Sequence, residues 1–463
     1  MEEMRNVPFS NNQDRLSNLP ESLIHHILSF LDMKYVVQTS ILSRKWRYTW
    51  TTVSTLVFES DAFNDSGEKK VQSFMRFVTS ILMLNISDID KFDLYYSWDS
   101  DKIAKHLNTW ILAVVKRKVQ ELNIQIEYSI AWTMRLPHCL VTSESLTRLL
   151  LDFPGSLVLP DSMNLPRLKS LYLGALEIDD IKCVNKLLSS CPVLESLVIK
   201  EFCVRAGHEL RVNICKLKDL DICPCHCGES ALRIIKLCTP NLTSFTCEDY
   251  MINEYCLENL SSLATANVQM TKGVGDTNIG KEDLFLKRIL VFLMAFQNVN
   301  ELTLSSDFLQ VLSEVPSLIE CQLPQFRNLR YLKLDMRFIR CCLFPLAYLL
   351  TSSPCMESLF ITSKELDSED DGEVVLSGSC ILSHLKYIEM REVKGCNNEL
   401  IFLEFVLKNA IVLEEMVLYF CDAGSSPSTN TRGVPDKLNV MKKFSEKVKA
   451  LPRVSSSLIM LFC

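Results

Sequence analysis

The chain has 463 residues, is 48% hydrophobic and carries a formal net charge of −7. This length supports a large buried core, and the acidic balance argues against a nucleic-acid-binding protein, which would present Lys and Arg in excess on one face. The N-terminus is polar, and the longest apolar run, Ile289 to Phe296, is far shorter than a membrane span of about 20 residues. We therefore expect an intracellular protein of the cytoplasm or nucleus, with most of its 19 cysteines reduced.

Residues 14–58 carry the patterns of three short helices. Asn18 is a candidate cap for a first helix that begins near Pro20, Asp32 for a second helix and Ser43 for a third. Three helices of this length bury little surface alone. The pattern therefore favours a module that packs on a neighbour, either as the helical cap of a repeat array or as a protein-binding face.

This segment resembles the F-box motif, which would occupy residues 14–58 after a disordered N-terminus, residues 1–13. Leu19-Pro20, the run ILSFL from Ile27 and the run LSRKWR from Leu42 carry the resemblance, and Ser43 replaces the cysteine that is usual in the family. The resemblance implies docking to a Skp-type adaptor and, through it, to a cullin–RING ubiquitin ligase. It implies that the adaptor-facing residues include Leu19, Pro20, Ile24, Ile27, Leu28, Leu31, Val37 and Trp46. The sequence leaves open which of them point outward.

After residue 58, apolar residues recur at positions i, i+3 and i+5, as a strand with two inward side chains requires. The mean separation of these repeats is 27 residues, within the range of about 20 to 29 residues that is typical of leucine-rich repeats. The repeats begin at Ile89, Val119, Leu146, Leu168, Leu194, Leu217, Leu242, Leu263, Val299, Leu329, Met356, Leu385 and Leu413. Asp180 is a candidate cap for a helix that ends before Pro192, and similar helix-then-strand patterns follow Phe344 and Leu403.

We therefore predict an α/β protein in which an irregular leucine-rich repeat solenoid, with a curved parallel sheet and helices outside, spans residues 59–381. The residue at i+4 of each repeat should point away from the core, to the concave side. Among these positions Tyr172, Lys333 and Phe360 are the candidate substrate contacts, because aromatic and long cationic side chains are frequent binding anchors. The alternative is that irregular repeats or loops close the concave side.

Residues 382–463 resemble the FBD domain that follows the F-box and repeats in a large plant family. The resemblance rests on Leu385-Lys386, Glu399-Leu400, Leu407–Ala410, Leu413-Glu414 and Leu451–Ser455. We expect a final repeat followed by a helix and a strand that cap the array.

Three polar stretches are predicted loops: Thr271–Asp283, Lys364–Glu373 and Cys421–Pro435. The last two are candidate phosphorylation segments, although solvated loops are the simpler interpretation. The cluster Cys223-Pro224-Cys225-His226-Cys227 contains zinc-binding residue types, but its spacing differs from the C-x2-C pattern, which favours a reduced loop.

The sequence contains no GxSxG, HExxH, GxGxxG or Walker motif, so we expect neither catalysis nor a cofactor. Together with the repeats, the resemblance to the F-box motif implies a substrate-recognition subunit of an SCF-type ubiquitin ligase, built from a Skp-type adaptor, a cullin and an F-box protein. The alternative is a leucine-rich repeat scaffold that binds proteins without taking part in ubiquitination.

Overall fold

A computed structural model describes residues 16, 18–63, 67–98, 102–127, 133–224, 232–249, 251, 253–271, 282–313, 324–364, 382–421 and 434–463. The chain forms two compact units, Met1–Asp179 and Asp180–Cys463. Both units are of the α/β type, with short helices at the N-terminus of the first and parallel strands in each. Within the described ranges, no helix is both long and apolar enough to cross a membrane.

The first unit begins with the helices of the F-box-like segment and continues with strands that alternate with helices. Its helices are α1 (Glu21–Leu28), α2 (Met33–Gln38), α3 (Gly67–Leu84), α4 (Lys102–Val115) and α5 (His138–Val141), with 3-10 helices at Thr39–Ile41, Trp46–Thr52 and Ser60–Ala62. Its strands are β1 (Thr55–Glu59), β2 (Lys91–Tyr96), β3 (Glu121–Ile126), β4 (Thr133–Arg135), β5 (Arg148–Val158) and β6 (Ser170–Asp180). They pair in the order β1-β2-β3-β5-β6, with β4 beside β5.

The second unit continues the same strand pattern. Its helices are α6 (Ile181–Ser189), α7 (Glu282–Ala295), α8 (Ser306–Ser313), α9 (Arg340–Thr351), α10 (Asn397–Asn409) and α11 (Val434–Ala450). Its strands are β7 (Ser196–Ala206), β8 (Glu209–Val212), β9 (Asp219–Pro224), β10 (Ile234–Cys238), β11 (Ser244–Asp249), β12 (Glu254–Glu258), β13 (Thr265–Met270), β14 (Glu301–Leu304), β15 (Tyr331–Met336), β16 (Ser358–Ser363), β17 (Tyr387–Val393), β18 (Glu415–Phe420) and β19 (Ile459–Phe462). The main sheet has the order β7-β9-β11-β13-β14-β15-β16-β17-β18-β19.

All thirteen repeat positions lead into a strand, and the apolar side chains at i, i+3 and i+5 are buried, as at Leu168, Leu171 and Leu173. The weak repeat at Leu263 also forms a strand, β13. Each strand is parallel to its neighbours in the sheet. The predicted leucine-rich repeat architecture is therefore confirmed. Stacked strands that share the i, i+3 and i+5 spacing of inward side chains bury one continuous apolar face.

A second sheet, with the order β12-β10-β8, replaces the predicted helices in part of the second unit. Its three strands lie in the repeats that begin at Leu194, Leu217 and Leu242, which are 21 to 25 residues long. Repeats of 26 or more residues have room for a helix, as α6 and α10 show. In the shorter repeats the return segment is too short for a packed helix, so it runs as an extended strand instead.

Two of the four predicted helix caps are confirmed. The carboxylate of Asp32 accepts a hydrogen bond from Lys34 N–H, and that of Asp180 accepts one from Lys182 N–H. The prediction for Asn18 was wrong, because α1 begins directly after an extended Pro20 whose carbonyl accepts the N–H groups of Leu23 and Ile24. The prediction for Ser43 was also wrong, because the third helix is a 3-10 helix that starts three residues later, at Trp46.

The C-terminal part forms the expected final repeat, helix and strand, namely β18, α11 and β19. Phe444 of α11 packs edge-on against Phe420 of β18, with ring centroids 6.3 Å apart. Glu399 of α10 is fully buried, and its carboxylate accepts hydrogen bonds from Gly395 N–H and from the Ser363 hydroxyl. The ring contact holds α11 against β18, and the Glu399 bonds anchor the N-terminal end of α10 to the end of β16.

Fourteen of the cysteines in the described part of the chain are free thiols. Burial raises the pKa of the Cys191 thiol to about 12, which keeps it protonated and unreactive. Residues 1–13 and most of the three predicted loops, namely 272–281, 365–373 and 422–433, lie outside the described residues.

Candidate protein-binding surfaces

The carboxylate of Asp32 joins the F-box-like helices to the first strand. One oxygen, Oδ1, accepts from Lys34 N–H at 2.7 Å, and the other, Oδ2, accepts from Glu59 N–H at 2.7 Å at the end of β1. Burial is the main cause that raises the pKa of this carboxyl. His25 Nε2, 3.1 Å from Thr52 Oγ1, links α1 to the 3-10 helix Trp46–Thr52. The helices are thus held in a fixed orientation against β1.

Three of the eight expected adaptor-facing residues are buried inside this helical module. The side chains of Ile24, Leu28 and Trp46 form its small core, so they support the surface rather than form it. The other five are at least partly exposed: Leu19, Pro20, Ile27, Leu31 and Val37. The resemblance to the F-box motif implies that all eight positions contact the adaptor. In the structure, three of these side chains are buried and five are at least partly exposed.

The module also exposes large apolar side chains that were not assigned to the adaptor contact. Ile41 is 86% exposed, Phe30 is 75% exposed and Tyr48 is 69% exposed. We call the outward apolar residues of the module the F-box face: Leu23, Ile27, Phe30, Tyr35, Ile41, Leu42 and Tyr48. The spacing of Leu23 and Ile27, four residues apart on α1, was a signal in the sequence that they share one side of the helix. The basic side chains of Arg44, Lys45 and Arg47 are exposed next to this face.

The residues at i+4 of the repeats form one column of lateral neighbours in each unit. In the first unit the strand register places five of them side by side: Val57, Asp93, Asn123, Leu150 and Tyr172. In the second unit it aligns ten: Val198, Asp221, Thr246, Asn267, Thr303, Lys333, Phe360, Glu389, Val417 and Leu461. Val57 and Leu461 belong to β1 and β19, which the repeat pattern did not include.

Two of the three candidate substrate contacts, Lys333 and Phe360, are lateral neighbours in the second unit. Lys333 Nζ lies 5.9 Å from the ring centroid of Phe360 and forms an ion pair with Glu301 at 2.5 Å. The ring of Phe360 is 5.6 Å from that of Tyr387 on the next strand. Tyr172 belongs to the first unit, where its hydroxyl is 3.5 Å from Asp152 Oδ2.

This contact network continues across the sheet. The Tyr387 hydroxyl donates to Glu389 Oε2 at 2.7 Å, and Arg391 Nε lies 2.6 Å from Glu389 Oε1. Burial, followed by the hydrogen bond to Glu389, raises the pKa of the Tyr387 hydroxyl, which therefore remains a donor. The guanidinium of Arg391 lies 5.6 Å from the ring of Tyr419. We call these residues the aromatic cluster: Lys333, Phe360, Tyr387, Glu389, Arg391 and Tyr419.

Not every i+4 side chain in the column of the second unit is exposed to solvent. Val417 is buried between its lateral neighbours Glu389 and Leu461, because a short branched side chain is covered by longer ones on both sides. Val417 stays in register with the column but offers little surface to a partner.

The zinc hypothesis finds no support in the described ranges, where no group of three His, Cys, Asp or Glu side chains is placed to hold a metal ion. Cys223 is the penultimate residue of β9 and is buried, whereas Cys225, His226 and Cys227 lie outside those ranges.

Known protein families match three parts of the chain. The F-box domain matches residues 16–58, the repeats of "FBD-associated F-box protein At5g56370, LRR repeats" match residues 107–259, and the FBD matches residues 379–418. These matches coincide with the helical module, with repeats of both units, and with β17, α10 and β18.

Relatives from Arabidopsis thaliana match along most of the chain. The chain is 27% identical to F-box/LRR-repeat protein 13 over 97% of this chain and 96% of that protein. It is 28% identical to F-box/FBD/LRR-repeat protein At1g78750 over 89% of this chain and 91% of that protein. It is 32% identical to F-box/LRR-repeat protein At3g59200 over 70% of this chain and 64% of that protein.

The fold and these matches define a repeat protein with an N-terminal F-box and a C-terminal FBD region. The chain carries F-box, leucine-rich repeat and FBD regions, and it is similar over most of its length to Arabidopsis proteins named for the same regions. The resemblance identified from the sequence is thereby confirmed, and it supports an adaptor-type role in substrate recognition.

Proposed function

We propose that this protein is the substrate-recognition subunit of an SCF-type ubiquitin ligase. The F-box face docks a Skp-type adaptor, which connects the chain to a cullin–RING ligase, and the repeats hold the target protein. The chain performs no chemical step and needs no cofactor; it raises the local concentration of the target at the conjugating enzyme. This role places the protein in the cytoplasm or nucleus, where thiols remain reduced.

The exposed apolar area of the F-box face is the observation that supports this proposal most directly. A group of large apolar side chains as exposed as Ile41 and Phe30 in one small module is typical of a protein-interaction site, whereas scattered single ones are not. Burial of one such side chain contributes about 1.5–3 kcal/mol to association. The Asp32 contacts with Lys34 and Glu59 fix this face to the repeats, so a docked adaptor would hold the first unit in a defined orientation.

The test is co-purification of the full chain with a purified Skp-type adaptor and a cullin. We expect the wild type to form the complex, and we expect Phe30→Asp and Ile41→Asp to abolish it. Met294→Asp is the matched control, because Met294 is also an exposed apolar side chain but lies on α7 of the second unit. Thermal melting of each variant confirms that the repeats stay folded.

A wild-type chain that binds target proteins but captures neither adaptor nor cullin would favour the second candidate, a repeat scaffold without a role in ubiquitination. Equal capture by the wild type and the two Asp variants would show that the F-box face is not the docking surface.

For the target we propose the half-exposed side of the sheet in the second unit, centred on the aromatic cluster. Phe360, Tyr419 and Arg391 supply aromatic and guanidinium side chains, which are enriched at protein interfaces, and Lys333 adds a further positive charge. Tyr172 is the corresponding candidate in the first unit. Proximity labelling in cells with the proteasome blocked identifies the partners, and comparison with Phe360→Ala and Tyr172→Ala assigns them to one surface or the other.

A further inference from the structure

A second exposed apolar patch lies outside the F-box, at the end of α3 in the first unit. Met83 is 76% exposed, Leu84 is 56% exposed and Ile86 is 79% exposed, while Asn85 between them is buried. Single exposed apolar residues are common on protein surfaces, whereas three within four positions form a contiguous patch. This segment, residues 83–86, is called the α3 patch below.

The α3 patch is held directly against the F-box module by hydrogen bonds. Ile86 N–H donates to the Thr51 carbonyl at 2.9 Å, and the side chain of Asn85 donates to the Val53 carbonyl at 2.9 Å. Ser87 Oγ donates to the Thr52 carbonyl at 2.8 Å. These bonds fix the patch beside the C-terminal end of the 3-10 helix Trp46–Thr52.

A side chain of the first repeat reinforces the same junction from the other direction. The guanidinium of Arg117 donates to the Leu82 carbonyl at 2.6 Å and to Asn85 Oδ1 at 3.2 Å. Asn85 is therefore bonded to both the F-box end and the first repeat. The α3 patch has a fixed position relative to Tyr48, whose carbonyl accepts from the hydroxyl of Thr51 at 2.7 Å.

The charges around this area favour an acidic partner. Arg44, Lys45 and Arg47 are exposed near Tyr48, and Lys116 and Lys118 are exposed on either side of Arg117. Two exposed acids, Asp88 and Asp90, follow the patch, so the five exposed basic side chains are still in excess. A partner that covers both apolar areas would therefore match them with an apolar surface whose rim is acidic.

We infer that the adaptor contact extends from the F-box face onto the α3 patch, so that the end of α3 forms part of the docking surface. This inference rests on the proposed function, because it assigns the patch to the same Skp-type adaptor. It follows from continuity: Ile86 is bonded to the helix that carries Tyr48, and exposed basic residues adjoin Tyr48 in the chain and flank Arg117, which is bonded to Asn85. A contact at two fixed areas would set the orientation of the first unit on the ligase.

The test is a calorimetric titration of the full-length chain with a purified Skp-type adaptor. We expect the double variant Met83→Ser and Ile86→Ser to weaken adaptor binding by about tenfold, since two apolar side chains lose their buried area. Met294→Ser in the second unit is the matched control and should bind as the wild type does. Both changes are at exposed positions, so thermal melting should be unaffected.

We also expect the wild-type affinity to fall with added salt, and Lys116→Glu to weaken binding further.

The outcomes separate this inference from the proposed function. A double variant that binds the adaptor as tightly as the wild type overturns the extended contact and leaves the F-box docking intact. A double variant that loses other cellular partners but keeps the adaptor assigns the patch to a different protein, which also overturns it. A wild type that does not bind the adaptor at all refutes the proposed function and, with it, this inference.

Discussion

The F-box face in the first unit and the aromatic cluster in the second are both candidate protein-binding surfaces, but they are built differently. On the F-box face, large apolar side chains such as Ile41 and Phe30 are exposed to solvent and have little contact with the rest of the chain. In the aromatic cluster, each side chain already contacts another: Lys333 lies over Phe360, and Glu389 binds both Tyr387 and Arg391.

This difference has a physical consequence for binding. Covering the F-box face removes apolar area from water, which is a strong and non-directional contribution to affinity. Covering the aromatic cluster requires a partner that keeps or replaces its ion pairs and hydrogen bonds, which contributes more to selectivity than to affinity. A surface of the first kind suits one constant partner, and a surface of the second kind suits discrimination among targets.

The largest effect is expected on the F-box face. The double variant Phe30→Ala and Ile41→Ala should weaken adaptor binding by about 100-fold, since two interface anchors are lost. Capture of target proteins in the absence of adaptor should be unchanged. Calorimetry with purified adaptor measures the first quantity and quantitative pulldown the second. A change of less than about threefold in adaptor affinity would contradict the assignment of adaptor binding to the F-box face.

The orientation of the F-box face depends on Asp32. Asp32→Ala should lower the free energy of unfolding by about 2 kcal/mol, because a buried carboxylate that accepts two backbone N–H groups is lost. Asp180→Ala is the control: it removes a single cap of α6 and should cost about 1 kcal/mol. Urea denaturation of the full chain measures both variants. Equal losses would show that the bond to Glu59 N–H adds nothing.

A smaller effect is expected at the aromatic cluster. Phe360→Ala removes the ring that contacts Lys333 and Tyr387, and it should reduce target capture by about tenfold. Its thermal stability and its adaptor binding should match those of the wild type, because Phe360 is only half-buried. Thr246→Ala, at a polar position of the same column, is the control. Intact target capture, or a collapse of stability, would show that Phe360 is not an exposed target contact.

The smallest effect is a pH dependence. Burial raises the pKa of the Asp32 carboxyl above its ordinary value of 3.8, so the folded state holds this proton more tightly than the unfolded state. The resulting stabilisation is fully present below pH 3.8 and is lost as the pH rises through the raised folded-state value. Asp32→Asn should lack this decline when denaturation is repeated across that pH window. Parallel curves for the two proteins would contradict this assignment.

The repeat array was predictable because its signal is local and repeated. The spacing of i, i+3 and i+5 follows from the alternation of side chains along a strand, and thirteen copies of it identified thirteen strands. The same alternation placed Lys333 beside Phe360, since equal positions in stacked parallel strands become lateral neighbours. The second sheet was not predicted, although the short length of the repeats that contain it is visible in the sequence.

The sequence by itself determined the family resemblance, the strand positions and the columns of lateral neighbours, because these depend on periodicity and on a motif at fixed spacing. Only the tertiary structure decided which side of each F-box helix faces water: Ile24 and Leu28 are buried, whereas Ile27 on the same helix is exposed. It also decided that Ile86 lies beside Thr51, 35 positions earlier in the chain. Short helices have no strong preference of their own, so their orientation follows from the strand and the helix end against which they pack.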